Sequence, residues 1–151
     1  MAIYHPGTYA VFKKVGAAKF TPIPPTYSTE SDKYGNYRLE KNGAVLLEVA
    51  KSNDGKIWDW QNKITFAIGI ADIALIFNAD GGECRIVHDN DGAIKTLALQ
   101  PGEGKYAGTW KLMLSDKSKD QGMIMVPLSA GEYAVLMELL VSALPKLVAW
   151  D

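Results

Sequence analysis

Lys56 to Ile68 constrains the fold of this chain more than any other stretch. It reads Lys56-Ile57-Trp58-Asp59-Trp60-Gln61-Asn62-Lys63-Ile64-Thr65-Phe66-Ala67-Ile68. Side chains of a strand alternate between two faces. The even positions put Trp58, Trp60, Ile64, Phe66 and Ile68 on one face, with Lys56 and Asn62 among them. The odd positions carry mostly small or polar groups: Asp59, Gln61, Lys63, Thr65 and Ala67. The pattern predicts one long strand over 56–68, with two indoles near its open end beside lysines. Rings beside cations on a sheet suit an unpaired nucleic-acid strand, because every base has a flat face to stack and every nucleotide a phosphate to neutralise.

Other strands surround this one. Tyr9 to Phe20 is a first strand, with Gly16 marking a bulge or a close backbone approach. The Pro-rich piece Thr21–Pro25 ends it, and Ser28–Asn36 is polar loop. Tyr37–Lys41 and Ala44–Val49 form strands about a Lys41-Asn42-Gly43 hairpin turn, and Asn53-Asp54-Gly55 turns the chain into the tryptophan strand. The period then changes. Ile70, Ile73, Ala74 and Phe77 share a helical face, which predicts a short helix over 70–78 ended near Asp80-Gly81-Gly82. Four more strands follow at Glu83–Asp89, Lys95–Gln100, Thr109–Asp116 and Met123–Leu128. A closing helix starts at the N-cap Ser129, with Glu132 completing a capping box. Its apolar positions Tyr133, Leu136, Met137, Leu140, Val141 and Leu144 are widened by Val135 and Leu139, a stripe broader than one sheet contact needs, which points to another subunit. Pro145 interrupts it. The expected class is α+β: two four-strand runs, each followed by a helix, in a single domain over 1–151.

Composition bounds the function. The chain has 48% apolar residues, enough for a real core, and no apolar run near the roughly 20 residues of a membrane helix. Met1–Thr8 has neither a secretory nor a transit layout, so the protein is expected to act where it is made. The lone Cys84 excludes an internal disulfide and a cysteine zinc site, and fits a buried apolar role. Net charge is −1, yet residues 1–66 hold nine Lys/Arg against six Asp/Glu, while residues 67–151 hold seven against eleven. A polyanion site therefore draws on the first half. The phosphate candidates are Lys13, Lys14, Lys19, Arg38, Lys56 and Lys63; the stacking candidates are Trp58 and Trp60, then Tyr9, Phe12 and Tyr37. Each of these rings could equally be core, and Trp110 shares a face with Leu112 and Leu114 as core.

Catalytic and cofactor signals are weak. His88-Asp89-Asn90-Asp91-Gly92 has the opening of a calcium loop but lacks its later bidentate Glu. Gly102-Glu103-Gly104-Lys105 lacks the spacing and hydroxyl of a P-loop. His88 is read as structural and no cofactor or metal is expected; a metal-dependent hydrolase using His88, Asp89 and Asp91 is the rival from another class.

Taken in order, several segments resemble the Whirly family of single-stranded DNA-binding proteins. They are Gly35-Asn36-Tyr37-Arg38-Leu39; Asp59-Trp60 followed by Lys63 and Phe66; Val87-His88-Asp89; Val126-Pro127-Leu128-Ser129 through Glu132-Tyr133-Ala134-Val135; and Leu144-Pro145 with Ala149-Trp150. The family's Lys-Gly-Lys-Ala-Ala-Leu motif falls near Lys14-Val15-Gly16-Ala17-Ala18-Lys19, where the lysines are displaced. The resemblance implies two packed four-stranded antiparallel sheets, helices gathered at the centre of a homotetramer, and single-stranded DNA along sheet edges. It implies service in replication, recombination or repair; the lack of a transit layout points to a bacterial or bacteriophage member acting in the cytoplasm of a bacterial or phage-infected cell, or to an organelle matrix or nucleoid if a presequence was removed. A related kinetoplastid fold that binds guide RNA makes single-stranded RNA the alternative partner. No membrane partner is expected.

Overall fold

The computed structural model describes residues 7–150. Ten strands and two helices follow one another as β1 (Tyr9–Phe12), β2 (Gly16–Ile23), β3 (Thr26–Tyr27), β4 (Leu39–Lys41), β5 (Ala44–Lys51), β6 (Ile64–Ile68), α1 (Ile70–Asn78), β7 (Cys84–Asn90), β8 (Ala93–Pro101), β9 (Trp110–Asp116), β10 (Ile124–Leu128) and α2 (Ala130–Leu147). Two four-stranded antiparallel sheets, ordered β1-β2-β5-β6 and β10-β9-β8-β7, form the body, and β3-β4 is a small separate pair. The α+β class with two such sheets and two helices is as the sequence predicts.

The inner faces of the sheets build one core. Val45, Leu47 and Val49 of β5 alternate with Ile64, Phe66 and Ile68 of β6 opposite them. Leu97, Leu99, Leu112, Leu114, Ile124 and Val126 answer from the second sheet, and Ile73, Ile76, Leu136, Leu140 and Leu147 close it with helix. Gly16 lies where β2 crosses β10: a Cβ there would stand 3.0 Å from the Met125 carbonyl oxygen. It is the close approach, not the bulge.

Four elements differ from expectation. Tyr9 to Phe20 is a hairpin rather than one strand, since Lys13 N–H bonds the Gly16 carbonyl at 2.9 Å and reverses the chain. The second strand then runs through Pro22, which is tolerated because β1 begins only at Tyr9, opposite Phe20, and leaves Pro22 without a β1 partner. Lys41-Asn42-Gly43 is not a hairpin turn, because β4 pairs with β3 and β5 pairs with β2 and β6. Gly43 is needed for space instead: a Cβ would sit 2.2 Å from the Ile23 carbonyl oxygen. The long tryptophan strand is only Ile64–Ile68; residues 56–63 form a loop and a 3₁₀ turn at Trp60–Asn62. Lastly, α2 continues past Pro145 to Leu147, with Pro145 and Val141, the partner of its missing bond, both on the exposed side.

The α1 range matches the prediction, but its buried residues are Asp72, Ile73 and Ile76, with Phe77 exposed. The box at α2 is complete: Glu132 N–H donates to Ser129 Oγ at 3.1 Å and Ser129 N–H to Glu132 Oε1 at 2.8 Å. Val135, Leu139 and Val141 remain exposed on that helix.

Gly43→Ala tests the contact. Gly43 is not among the glycines of positive φ, so the demand is steric, and crowding against the Ile23 carbonyl predicts a loss of about 1–3 kcal/mol. Urea unfolding of wild type and variant, compared at constant m-value, reads the difference; a midpoint within error of wild type contradicts the contact.

Candidate nucleic-acid interface

The outer face of the first sheet carries the site. Pairing places Ala10, Lys19, Glu48 and Thr65 in one row across it, and Phe12, Ala17 and Ala50 in the next. Ala17 and Ala50 are 0% exposed although they face away from the core, so something covers them. The covering segment is the stretch read as strand from the sequence. Ser52 and Asp54 divert it. The Ser52 hydroxyl donates to the Ile57 carbonyl at 2.7 Å and accepts the Gly55 N–H at 2.9 Å. Asp54 Oδ1 accepts the N–H groups of Lys56 at 2.8 Å and Ile57 at 3.1 Å, and those two bonds hold its carboxyl below the ordinary range. With its amides bonded to side chains, the backbone has no need of a strand ladder. Asp59 N–H then bonds the Lys51 carbonyl, and the 3₁₀ turn packs against β5.

This detour lays two indoles beside Phe12. The Phe12 ring meets Trp58 edge-on at 5.0 Å and 67°, and Trp60 at 6.4 Å and 80°. Trp58 Nε1 donates to the Lys13 carbonyl at 3.0 Å, fixing that ring on the β1–β2 turn. Lys19 Nζ stands 4.0 Å from the centroid of Trp60, a cation–π contact worth about 0.5–1 kcal/mol at an exposed site. Phe12 is 50% exposed and both indoles are half-buried. Trp58 and Trp60 therefore leave the face of Ile64 and Phe66, where alternation put them, and form a surface cluster of their own.

The cations divide into engaged and unpaired. Lys13 Nζ pairs with Glu132 Oε1 at 2.7 Å, Lys63 with Glu48, and Arg38 with Glu40 at 3.6 Å. Lys14 and Lys56 are exposed and have no ion pair among the described residues. They share a rim, since Gly55 packs against the Lys14 main chain. Val15 and the 75% exposed Ile57 complete that rim; neither was a candidate from sequence, and their only signal is an apolar residue next to lysine in a turn.

Three candidates stand elsewhere. Tyr9 projects to the opposite face of the sheet from Phe12, stacks on Phe20 at 6.3 Å and lines a cleft with Leu136, Leu139 and Leu140 of α2. Burial and then the Glu132 charge raise its hydroxyl pKa. Tyr37, 61% exposed, and Arg38 lie on the 28–38 excursion, braced by Ser28 and Asp32 around a cleft of its own. Phe12, Lys14, Lys19, Lys56, Trp58 and Trp60 come together; Tyr9, Tyr37 and Arg38 do not join them.

The hydrolase constellation does not assemble. His88 Nε2 bonds Asp72 Oδ2 at 2.9 Å and its ring stacks on Phe66 at 4.0 Å, while Asp89 accepts the Gly92 N–H in a turn. No group of three His, Cys, Asp or Glu placed to hold a metal ion occurs among the described residues. Trp110 packs against the core as expected, stacked on Tyr133 at 3.8 Å, and Cys84 is buried.

Comparison with known proteins agrees with this architecture. Residues 11–139 match the Whirly family, described as the Whirly transcription factor. The chain is 26% identical to the single-stranded DNA-binding protein WHY1, chloroplastic, of Zea mays over 158 residues, covering 95% of this chain and 57% of that protein. It is 26% identical to the single-stranded DNA-binding protein WHY2, mitochondrial, of Arabidopsis thaliana over 155 residues, covering 95% of this chain and 63% of that protein. It thus spans less than two thirds of either relative. The crystal structure of WHY1 from Arabidopsis thaliana superposes with a TM-score of 0.85 at 22% identity, over 99% of this chain and 89% of that one, which shows a common fold. These relatives are named as organellar, and they lend no support to the cytoplasmic expectation.

Glu132 gives the fold a pH-dependent share of its stability. Burial alone would raise its carboxyl, but Lys13 and the Ser129 N–H outweigh that and leave it below the usual 4.5. A carboxyl lowered by folding adds stability above its unfolded value, and that share is lost as pH falls through the folded value. The gap in urea midpoint between wild type and Glu132→Gln is therefore expected to be full at pH 7 and to close as pH falls below 4.5 through the folded value. A gap that stays constant into acid would contradict the ion pair.

Proposed function

The chain belongs to the Whirly family, and from that premise we propose that it binds single-stranded DNA as an oligomer, with little sequence preference. The observation that carries the reading is the Phe12–Trp58–Trp60 cluster, lying on an outer sheet face beside Lys19 and rimmed by Lys14 and Lys56, which have no ion pair among the described residues. The names of the relatives point the same way.

Lysines release counterions from the phosphates while the rings receive bases. Little base discrimination is expected, because the Trp58 indole N–H is spent on the Lys13 carbonyl and ring faces stack any base. Such a protein shields unwound DNA, a task in replication, recombination or repair, and acts by binding rather than by catalysis. The exposed Val135, Leu139 and Val141 of α2 favour association through the helices, with a homotetramer as the assembly.

Affinity for labelled oligothymidylate is expected to fall steeply with salt, with duplex DNA far weaker. Phe12→Ala and Trp60→Ala are each expected to lose about 1–3 kcal/mol of binding. Equal competition by duplex and single strand would refute the reading, and RNA of the same sequence, if it competes better, moves the partner to RNA. Lys14→Ala with Lys19→Ala is expected to weaken binding without unfolding. Light scattering tests the assembly: a tetramer mass for wild type, lowered by Leu139→Asp, is the expected result, and a wild-type monomer overturns it.

A further inference from the structure

Lys13 occupies a position that its charge alone does not explain. Its main chain makes two bonds that shape the platform: its N–H closes the β1–β2 turn on the Gly16 carbonyl at 2.9 Å, and its carbonyl holds Trp58 Nε1 at 3.0 Å. Its ammonium reaches the other way. It pairs at 2.7 Å with Glu132 Oε1, the same oxygen that accepts the Ser129 N–H and completes the capping box of α2. Both side chains are largely covered, at 30% and 26% exposure. One residue thus joins the start of the long helix to the turn on which an indole hangs.

A lysine in that arrangement is a poor phosphate ligand. Moving to a phosphate would strip Glu132 of its partner and leave a partly buried carboxylate uncompensated. Lys14 and Lys56, which have no such partner among the described residues, can neutralise phosphate at no such cost. We propose that Lys13 is a positioning residue: through Glu132 it pins the β1–β2 turn to α2 and so holds Trp58 beside Phe12, and it does not contact the nucleic acid. The inference rests on the single-strand reading only for its binding arm.

The two roles differ in salt dependence. Each lost phosphate contact lowers the log–log salt slope by about 0.7 for a single strand, whereas a lost brace weakens binding at every salt concentration alike. The wild-type chain over residues 1–151 and its variants Lys13→Ala, Lys13→Arg, Glu132→Gln and Lys14→Ala/Lys56→Ala are titrated with labelled oligothymidylate over a series of KCl concentrations. Lys13→Ala and Glu132→Gln are expected to weaken binding about tenfold, as for a lost charged hydrogen bond, with the wild-type slope kept. Lys13→Arg, which keeps the pair, restores affinity, and Lys14→Ala/Lys56→Ala flattens the slope. Glu132→Gln retains an oxygen for the Ser129 cap, so it stays folded if Lys13→Ala does not. A flattened slope in Lys13→Ala, or wild-type affinity in Glu132→Gln, overturns the proposal. Tryptophan emission of the DNA-free proteins tests the brace separately. Lys13→Ala and Glu132→Gln should shift it and Lys13→Arg should not; unshifted spectra refute the brace. If wild type ignores oligothymidylate while the spectra shift, the binding reading fails and the brace stands.

Discussion

At the Ala17–Ala50 row the two central strands of the first sheet are buried on both faces, and the layer that lies over that row follows from it. On the inner face β2 and β5 present Ala18, Phe20, Leu47 and Val49 to the shared core. On the outer face they present Ala17 and Ala50, which have too little bulk to shield the backbone themselves. A sheet covered on both sides needs a second layer. Here the layer is not a helix but the 52–62 loop, whose two indoles supply the area. Aromatic side chains bury large surface while keeping an edge or a face in water. The same rings that close the sheet are thereby left half available, and a structural layer becomes a candidate binding surface.

Lysine placement shows how charge is distributed over this frame. An open strand edge displays unpaired carbonyls that invite another chain. On β6 that edge is blocked by side chains: Lys95 Nζ reaches Thr65 O at 2.7 Å, and Lys119 Nζ reaches Lys63 O at 2.6 Å. His88, stacked on Phe66 and bonded to Asp72, ties β6, β7 and the first turn of α1 at the same seam. Asp72 also accepts the Gly69 N–H at 2.9 Å, so one carboxylate both starts the helix and anchors the second sheet. The excess of positive charge in the first half of the chain is thus only partly free. Among the lysines around the indole cluster, Lys13 and Lys63 serve the frame and Lys19 serves a ring, while Lys14 and Lys56 have no ion pair among the described residues.

Legibility followed the range of the forces involved. The strands from Cys84 to Leu128 were visible as alternation because each pairs with its sequence neighbour, and α2 was visible from Ser129 and Glu132 because a capping box is local. The family segments could be read in order for the same reason. Residues 56–63 were misread because their alternation is real but idle: bonds from Ser52 and Asp54 captured the backbone before a ladder could. Gly43 was misread because Asn-Gly is a turn signal, while the true demand came from Ile23, distant in sequence.

The amino-acid sequence by itself determined the class of elements, the second four-strand run, the helix starts and the identity of the rings and lysines that could meet a polyanion. Those properties depend on periodicity and on near-neighbour hydrogen bonds, which a linear pattern records. Only the tertiary structure decided that Trp58 and Trp60 lie with Phe12 rather than with Phe66, that Tyr9 faces the helix, and that Lys13 answers to Glu132. Each of these is a contact between segments far apart in the chain, set by which sheet face needed covering and by which carboxylate stood within reach of an ammonium, and neither distance is written in the order of residues.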